Sequence, residues 1–332
     1  DWLGVEDNSS WGEGVTVAVL DTGVEGSHPD LAGSMVPGRN VVSDNSDTSP
    51  VHVHGTAVAG AIAATGNNAT GVASVVWNAG IMPIRISNRS DGWATGSDMV
   101  DGVLWAADHG ADVVNISYDF GSGFAALNDA AQYLRNRGGL VVMAAGNNNS
   151  DRGYADNPYI VHVAATTSSD AKASFSDFGG YIDVSAPGKD VLTVWQNGGY
   201  GWGAGTSFAS PVTAGVIALI KAANPDLTAA EVEDILESSA DDLGSNGWDK
   251  YFGHGRVNAA AAVQLATGGT AADVSPPSVS ITSPAAGSTV GSTVPVDVSA
   301  SDNVGVQRVE LRANGVRVGT DYTRPYTFVW DG

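Results

Sequence analysis

The chain has 332 residues, 43% of them hydrophobic, which allows one large packed domain plus something smaller. It has no cysteine, which excludes disulfides, thiol catalysis and cysteine metal sites. A formal net charge of -21, with a pI of about 4.3, repels nucleic acid and favours solubility, cations or basic substrates. Such a surface suits either a solvated acidic enzyme or one adapted to salt, where screening relieves self-repulsion.

The chain opens on Asp1-Trp2-Leu3-Gly4, with no basic stretch or apolar run of a leader, so it is expected to be non-secreted or a processed form. Val15–Leu20 is a continuous apolar run, as in a strand buried on both faces. Val113–Ile116, Leu140–Ala144 and Ile160–Ala164 read the same way. Between them, Met99, Val103, Leu104 and Ala107 recur at helical spacing, and Ala125–Arg137 predicts another helix. Val212–Ala222 predicts a strongly apolar, central helix, stopped by Asn224-Pro225, and Ala229–Ser238 an amphipathic one. No stretch is apolar for the ~20 residues of a membrane span. The alternation predicts an α/β fold, a doubly wound parallel sheet with helices on both faces.

Composition shifts near Gly268, and Pro276-Pro277 follows, so 268–277 is expected to be a linker after a first domain over 1–267. Beyond it, Val279–Ile281, Val294–Val298, Val306–Leu311, Val316–Val318 and Tyr326–Trp330 are short runs separated by turn signals. They predict a small antiparallel β segment of the sandwich type over 278–332, too short for a complete module of ~100 residues.

In open α/β sheets, ligands bind beyond the carboxyl ends of the strands. Asp21 directly follows the first strand, Ser117 another, and Asn147 closely follows a third. Three distant segments each offer one part of an acyl-transfer site: Asp21 in Asp21-Thr22-Gly23, His54 in His54-Gly55-Thr56, and Ser207 in Gly205-Thr206-Ser207. A serine nucleophile needs a base, and the base needs an orienting group. Asp-Thr-Gly also marks aspartic proteases, but they pair two such carboxylates and no second copy occurs. Ser207 precedes the apolar helix, where the positive helix end favours developing negative charge; alternatively Thr206 or Ser207 is merely an N-cap. Asn147 offers a side-chain amide to an oxyanion, or belongs to a turn-forming Asn run. His52 is expected to be solvated. Gly-x-Ser-x-Gly, His-Glu-x-x-His and P-loop motifs are missing.

These segments, with His28-Pro29-Asp30-Leu31, Ala144–Asn147 and Gly205–Pro211, resemble the subtilisin-like serine proteases, in their order and rough spacing, from about residue 2 to 264. The resemblance implies a serine endopeptidase in which Asp21 orients the base, His54 is the base, Ser207 attacks and Asn147 holds the oxyanion. It also implies that peptide extends along Gly92, Trp93 and Ala94 on one side and Ser117, Tyr118 and Asp119 on the other, with Asp119 on the wall of the primary pocket and Ala145 and Gly146 also binding substrate. Asp119 departs from the family's usual glycine. A carboxylate there either selects Arg or Lys or is one more solvated acid. Calcium is implied as a structural ion, at Asp30 with Asn68 and at Asp44 with Asp47; no catalytic cofactor is. Expected partners are protein or peptide substrates and the chain's own prodomain, with no nucleic acid, no membrane span and a monomeric, extracellular enzyme. A binding protein on a degenerate scaffold and a selective processing protease are the alternatives. The tail, with Pro277–Pro284 and Pro325–Trp330, resembles bacterial immunoglobulin-like modules.

Overall fold

The computed structural model describes residues 12–119, 124–268, 278–301, 309–314, 316–321 and 325–331. The first eleven residues, all of the expected linker but Gly268, and the start of the Val306–Leu311 run lie outside these. Two compact units divide near residue 270.

In the first unit the strands are β1 (Thr16–Asp21), β2 (Arg39–Asn40), β3 (Gly80–Arg85), β4 (Val113–Ile116), β5 (Leu140–Ala144), β6 (Ile160–Thr166), β7 (Val184–Pro187), β8 (Val191–Trp195) and β9 (Gly199–Gly203). The helices are α1 (Val53–Ala63), α2 (Gly96–Asp108), α3 (Ala125–Arg135), α4 (Thr206–Ala223), α5 (Ala229–Ser238) and α6 (Ala259–Ala266). β2, β3, β1, β4, β5, β6 and β7 form one parallel sheet in that order. β8 and β9 make a separate antiparallel hairpin.

The continuous apolar runs have the expected cause. Along β1, Val17 and Val19 pack into one core layer, with α1 and α4, while Ala18 and Leu20 pack into the other, with α2 and α3. A strand with side chains alternating into two buried layers has no face left for polar residues. β1 is an interior strand, flanked by β3 and β4, so its last residue, Asp21, emerges within the sheet and not at its edge. α4 begins six residues before the expected Val212, and Ser207 therefore falls in its first turn. It has a mean hydropathy of 1.3 over 18 residues, enough by composition for a membrane span, yet 78% of it is buried in this fold. Its apolar surface packs in the same core layer as Val58, Val161 and Val184.

The second unit holds β10 (Ser278–Ser283), β11 (Thr293–Ser301), β12 (Val309–Ala313), β13 (Val316–Asp321) and β14 (Tyr326–Asp331). β10, β11 and β14 form one antiparallel sheet, β12 and β13 a second. β11 alternates strictly, with Val294, Val296, Val298 and Ala300 inward against Val309, Tyr326 and Phe328. One face is covered and one is wet, as antiparallel sheets permit.

Candidate active site

Asp21 is fully buried at the end of β1. Its Oδ1 accepts the Thr22 N–H at 2.7 Å. Its two oxygens lie 2.8 and 3.0 Å from His54 Nδ1. This contact requires α1 to start against the end of β1. Gly55 allows the approach: a Cβ there would stand 2.3 Å from the Gly23 carbonyl and 3.1 Å from Asp21 Cβ. Thr22 fixes the junction, donating its hydroxyl to His52 O at 3.0 Å and accepting the Gly55 N–H at 3.1 Å. His52 is not the solvated residue expected. It is half-buried, and its Nδ1 caps α1 by accepting the His54 N–H at 3.2 Å. That leaves the His54 backbone satisfied and its ring free to turn toward Asp21.

The His54 side chain is 27% exposed and lies edge-on to Tyr118 and Phe208, with ring centroids 6.3 and 6.2 Å away. Burial depresses its pKa, but the charge and hydrogen bond of Asp21 outweigh this and raise it above the ordinary value. Ser207 precedes Phe208 in the first turn of α4, where backbone N–H groups lack intrahelical partners. Its hydroxyl donates to the Ser117 carbonyl at 3.2 Å and makes no hydrogen bond to His54 in this resting geometry. Catalytic hydrogen bonds often tighten only with substrate bound. Ser117 returns the tie, its hydroxyl donating to Ser207 O at 2.9 Å while accepting Asn115 Nδ2 at 2.9 Å.

The N-cap of α4 is Gly205, not Thr206. Thr206 instead anchors Asn147, whose Oδ1 accepts the Thr206 N–H at 2.8 Å and hydroxyl at 3.1 Å. This settles the orientation of the amide: Oδ1 is engaged, and Nδ2 is left to donate. The exposed Asn147 amide and the Ser207 N–H are thus the two donors at this end of the site, since the flanking Thr206 and Phe208 N–H groups already bond Asn147 Oδ1 and Gly205 O. Nothing in the Asn147-Asn148-Asn149 run hinted at Thr206 as the anchor.

The expected peptide-binding residues divide. Trp93 is 60% exposed and Gly92 precedes it, but Ala94 points its methyl into the core. Tyr118 donates its hydroxyl to Gly92 O at 2.7 Å, joining the two expected edges. Ala145 and Gly146 have their backbone groups engaged. Ala145 donates to Val163 O and accepts from Tyr181, while Gly146 donates to the Thr206 hydroxyl and accepts from Asp177 N. They can serve as a wall, not as hydrogen-bonding partners. Asp119 is not a solvated acid: it is 23% exposed and its Oδ2 is 3.0 Å from Arg152 Nη2.

The side chains expected to hold calcium do not fit it. Asp30 is fully buried, and its oxygens accept Asn68 Nδ2 at 2.9 Å and the Val72 N–H at 3.0 Å. Asn68 Oδ1 faces Thr70 N at 3.0 Å, so Asn68 presents nitrogen, not oxygen, to the carboxylate. Asp44 pairs with Arg39. Asp47 Oδ2 is 3.2 Å from Arg85 Nη1, which also donates to Ser49 O at 3.0 Å; Arg85 Nε donates to Ser87 O at 3.2 Å. A guanidinium already lies among the oxygens that a hard cation would need. Among the described residues no group of three or more potential metal-ligating acidic or histidine side chains occurs.

Comparison with known proteins gives a consistent picture. The sequence pattern of the subtilase family matches residues 12–255, and that of a bacterial Ig domain matches 277–332. The chain is 38% identical over 259 residues to a thermophilic serine proteinase of Bacillus sp. (strain AK1), covering 77% of this chain and 63% of that one. It is 38% identical over 255 residues to thermitase of Thermoactinomyces vulgaris, covering 76% and 90%. A solved protease structure from Pseudoalteromonas arctica superposes with a TM-score of 0.70 at 33% identity, covering 78% of this chain and 93% of the other.

Proposed function

This chain belongs to the subtilase family of serine proteases, and from that premise we propose that it hydrolyses peptide bonds through an acyl-enzyme on Ser207. The observation that carries the reading is the buried Asp21 carboxylate 2.8 Å from His54 Nδ1, beside the helix end that bears Ser207. Asp21 fixes the tautomer with the proton on Nδ1, so Nε2 is the free base. His54 Nε2 takes the Ser207 proton as Oγ attacks the carbonyl carbon, then gives it to the leaving amine. Asn147 Nδ2 and the Ser207 N–H donate to the oxyanion, where preorganised donors are most effective. Water repeats the sequence to release the acid and regenerate the serine. Peptide pairs with the Gly92–Trp93 and Ser117–Asp119 edges, as an added strand.

The same reading takes 1–267 as the catalytic domain, 268–277 as a linker and 278–332 as an Ig-like β-domain. It makes the protein an extracellular monomer matured with the help of its own prodomain, supported by family membership and by the acidic composition. No step of it runs through calcium. A fluorophosphonate probe should label the wild type and not Ser207→Ala; labelling that persists in the variant would place the nucleophile elsewhere.

A further inference from the structure

The segment expected to wall the primary pocket carries charges that this mechanism leaves unused. Asp119 reaches across from the Ser117–Asp119 segment toward Gly146. A Cβ on Gly146 would stand 2.9 Å from Asp119 Oδ2 and 2.3 Å from Asp177 Oδ2. With a φ of +111 as well, that position admits only glycine. The Asp119 carboxylate therefore lies against Gly146, between the two segments.

Its neighbours are unequal. Asp177 is fully buried, and its Oδ1 accepts the Asn148 and Ser150 N–H groups at 2.8 and 2.9 Å. That carboxylate holds the loop together. Among the described residues, Asp119 has one ion-pair partner, Arg152, and the contact is on Oδ2. Arg152 is shared: Nη1 lies 3.4 Å from Asp177 Oδ2 and Nη2 donates to the Tyr154 hydroxyl at 3.0 Å. Two carboxylates face one guanidinium, and partial burial pushes the Asp119 carboxyl up. One more cation balances the cluster, whereas an anion adds repulsion in a partly desolvated place.

We propose that Asp119 makes the primary pocket select Arg and Lys on the acyl side of the scissile bond, with Oδ1 receiving the substrate cation while Arg152 holds Oδ2. The proposal rests on the acyl-enzyme reading above. Arg152 acts as a built-in counter-ion: it keeps the empty pocket from holding two bare carboxylates, and it moderates the attraction for the substrate cation.

The test is kcat/KM on a peptide series differing only at that residue (Arg, Lys, Leu, Phe, Glu), for wild type, Asp119→Asn, Arg152→Gln and Arg152→Ala. Fluorophosphonate titration of active sites is run on each. Wild type should favour Arg and Lys over Leu and disfavour Glu. Asp119→Asn should lower the Arg-to-Leu ratio by about 10- to 100-fold, the size of a lost charge-assisted hydrogen bond. The Arg152 variants should raise that ratio, which a purely structural pair would not do. Full labelling with Phe or Leu preferred, and a ratio unmoved by Asp119→Asn, overturns the charge proposal alone. A wild type that takes no label overturns the acyl-enzyme reading and this proposal with it.

Discussion

Both oxygens of the Asp21 carboxylate lie within hydrogen-bond reach of one atom, His54 Nδ1, at 2.8 and 3.0 Å. The pairing fixes the imidazole's tautomer and raises its pKa above the ordinary 6.5. The raised value favours imidazolium in the folded state. It adds stability that is complete below 6.5 and lost as pH climbs through the shifted value. Activity runs the opposite way, because the base must be neutral. Asp21→Asn should lower kcat by about 10⁴-fold and move the acid limb of the kcat/KM profile to lower pH. A limb that stays in place would show that Asp21 does not set the base's pKa.

Asn147 donates through an amide whose oxygen is pinned by Thr206. Asn147→Ala should reduce kcat about 10²–10³-fold with little change in KM, since the donor acts on charge that develops during reaction. Thr206→Val keeps the backbone anchor and loses the hydroxyl. The lost bond to Asn147 should cost about tenfold or less in kcat, while the Gly146 N–H, which also loses this hydroxyl as its acceptor, makes the variant less stable. Stopped assays at saturating substrate separate the two.

Arg85 places a guanidinium among Asp47 Oδ2, Ser49 O and Ser87 O, in the loop that leads to α1. Chelation by EDTA should leave the melting temperature of the wild type unchanged if these oxygens serve Arg85 and not a metal. Arg85→Gln should destabilise by about 1–3 kcal/mol, because the buried guanidinium loses its charge-assisted bonds to Ser49 O and the buried Ser87 O. A wild type that melts several degrees lower in EDTA would contradict this account.

Glu237, crowded by burial and by Glu233, Asp234 and Asp156, has its carboxyl pushed up to about 7. The unfolded chain releases that proton near 4.5, so folding stability should fall as pH rises from 4.5 to about 7 and stay low above it. Glu237→Gln removes this group's slope and should stabilise the fold at pH 8 by about 1–2 kcal/mol, because solvent screening and His254 Nε2, 3.4 Å away, offset part of the shift. Denaturant unfolding at pH 5 and pH 8 checks it: an equal difference at both pH values would rule the titration out.

Much of the frame was legible because periodicity reports burial. The apolar runs of β1, β4, β5 and β6 and the helix within α4 read directly from side chains that must leave water. β3, with Pro83 in it, the β8–β9 hairpin with its glycines, and the short α6 were not legible. Their residues have weak local preferences, and pairing with neighbours fixes their form. The start of α4 was missed for a related reason. Thr206–Pro211 carries no helical stripe of its own, and the turn forms against Asn147 and Ser117.

The sequence by itself determined the chemistry on offer: an acid, a base, an alcohol and an amide, each at or near the end of a buried element, in an acidic chain without thiols. Only the tertiary structure decided who faces whom. It gave His52 to the cap of α1, Thr206 to Asn147, Arg85 to the loop oxygens and Arg152 to Asp119. The reason is physical. A residue's type and local pattern set what it can bond and whether it prefers water. Its partner across 30 or 90 positions of chain depends on how sheet and helices bring distant ends to one edge, and no local preference encodes that.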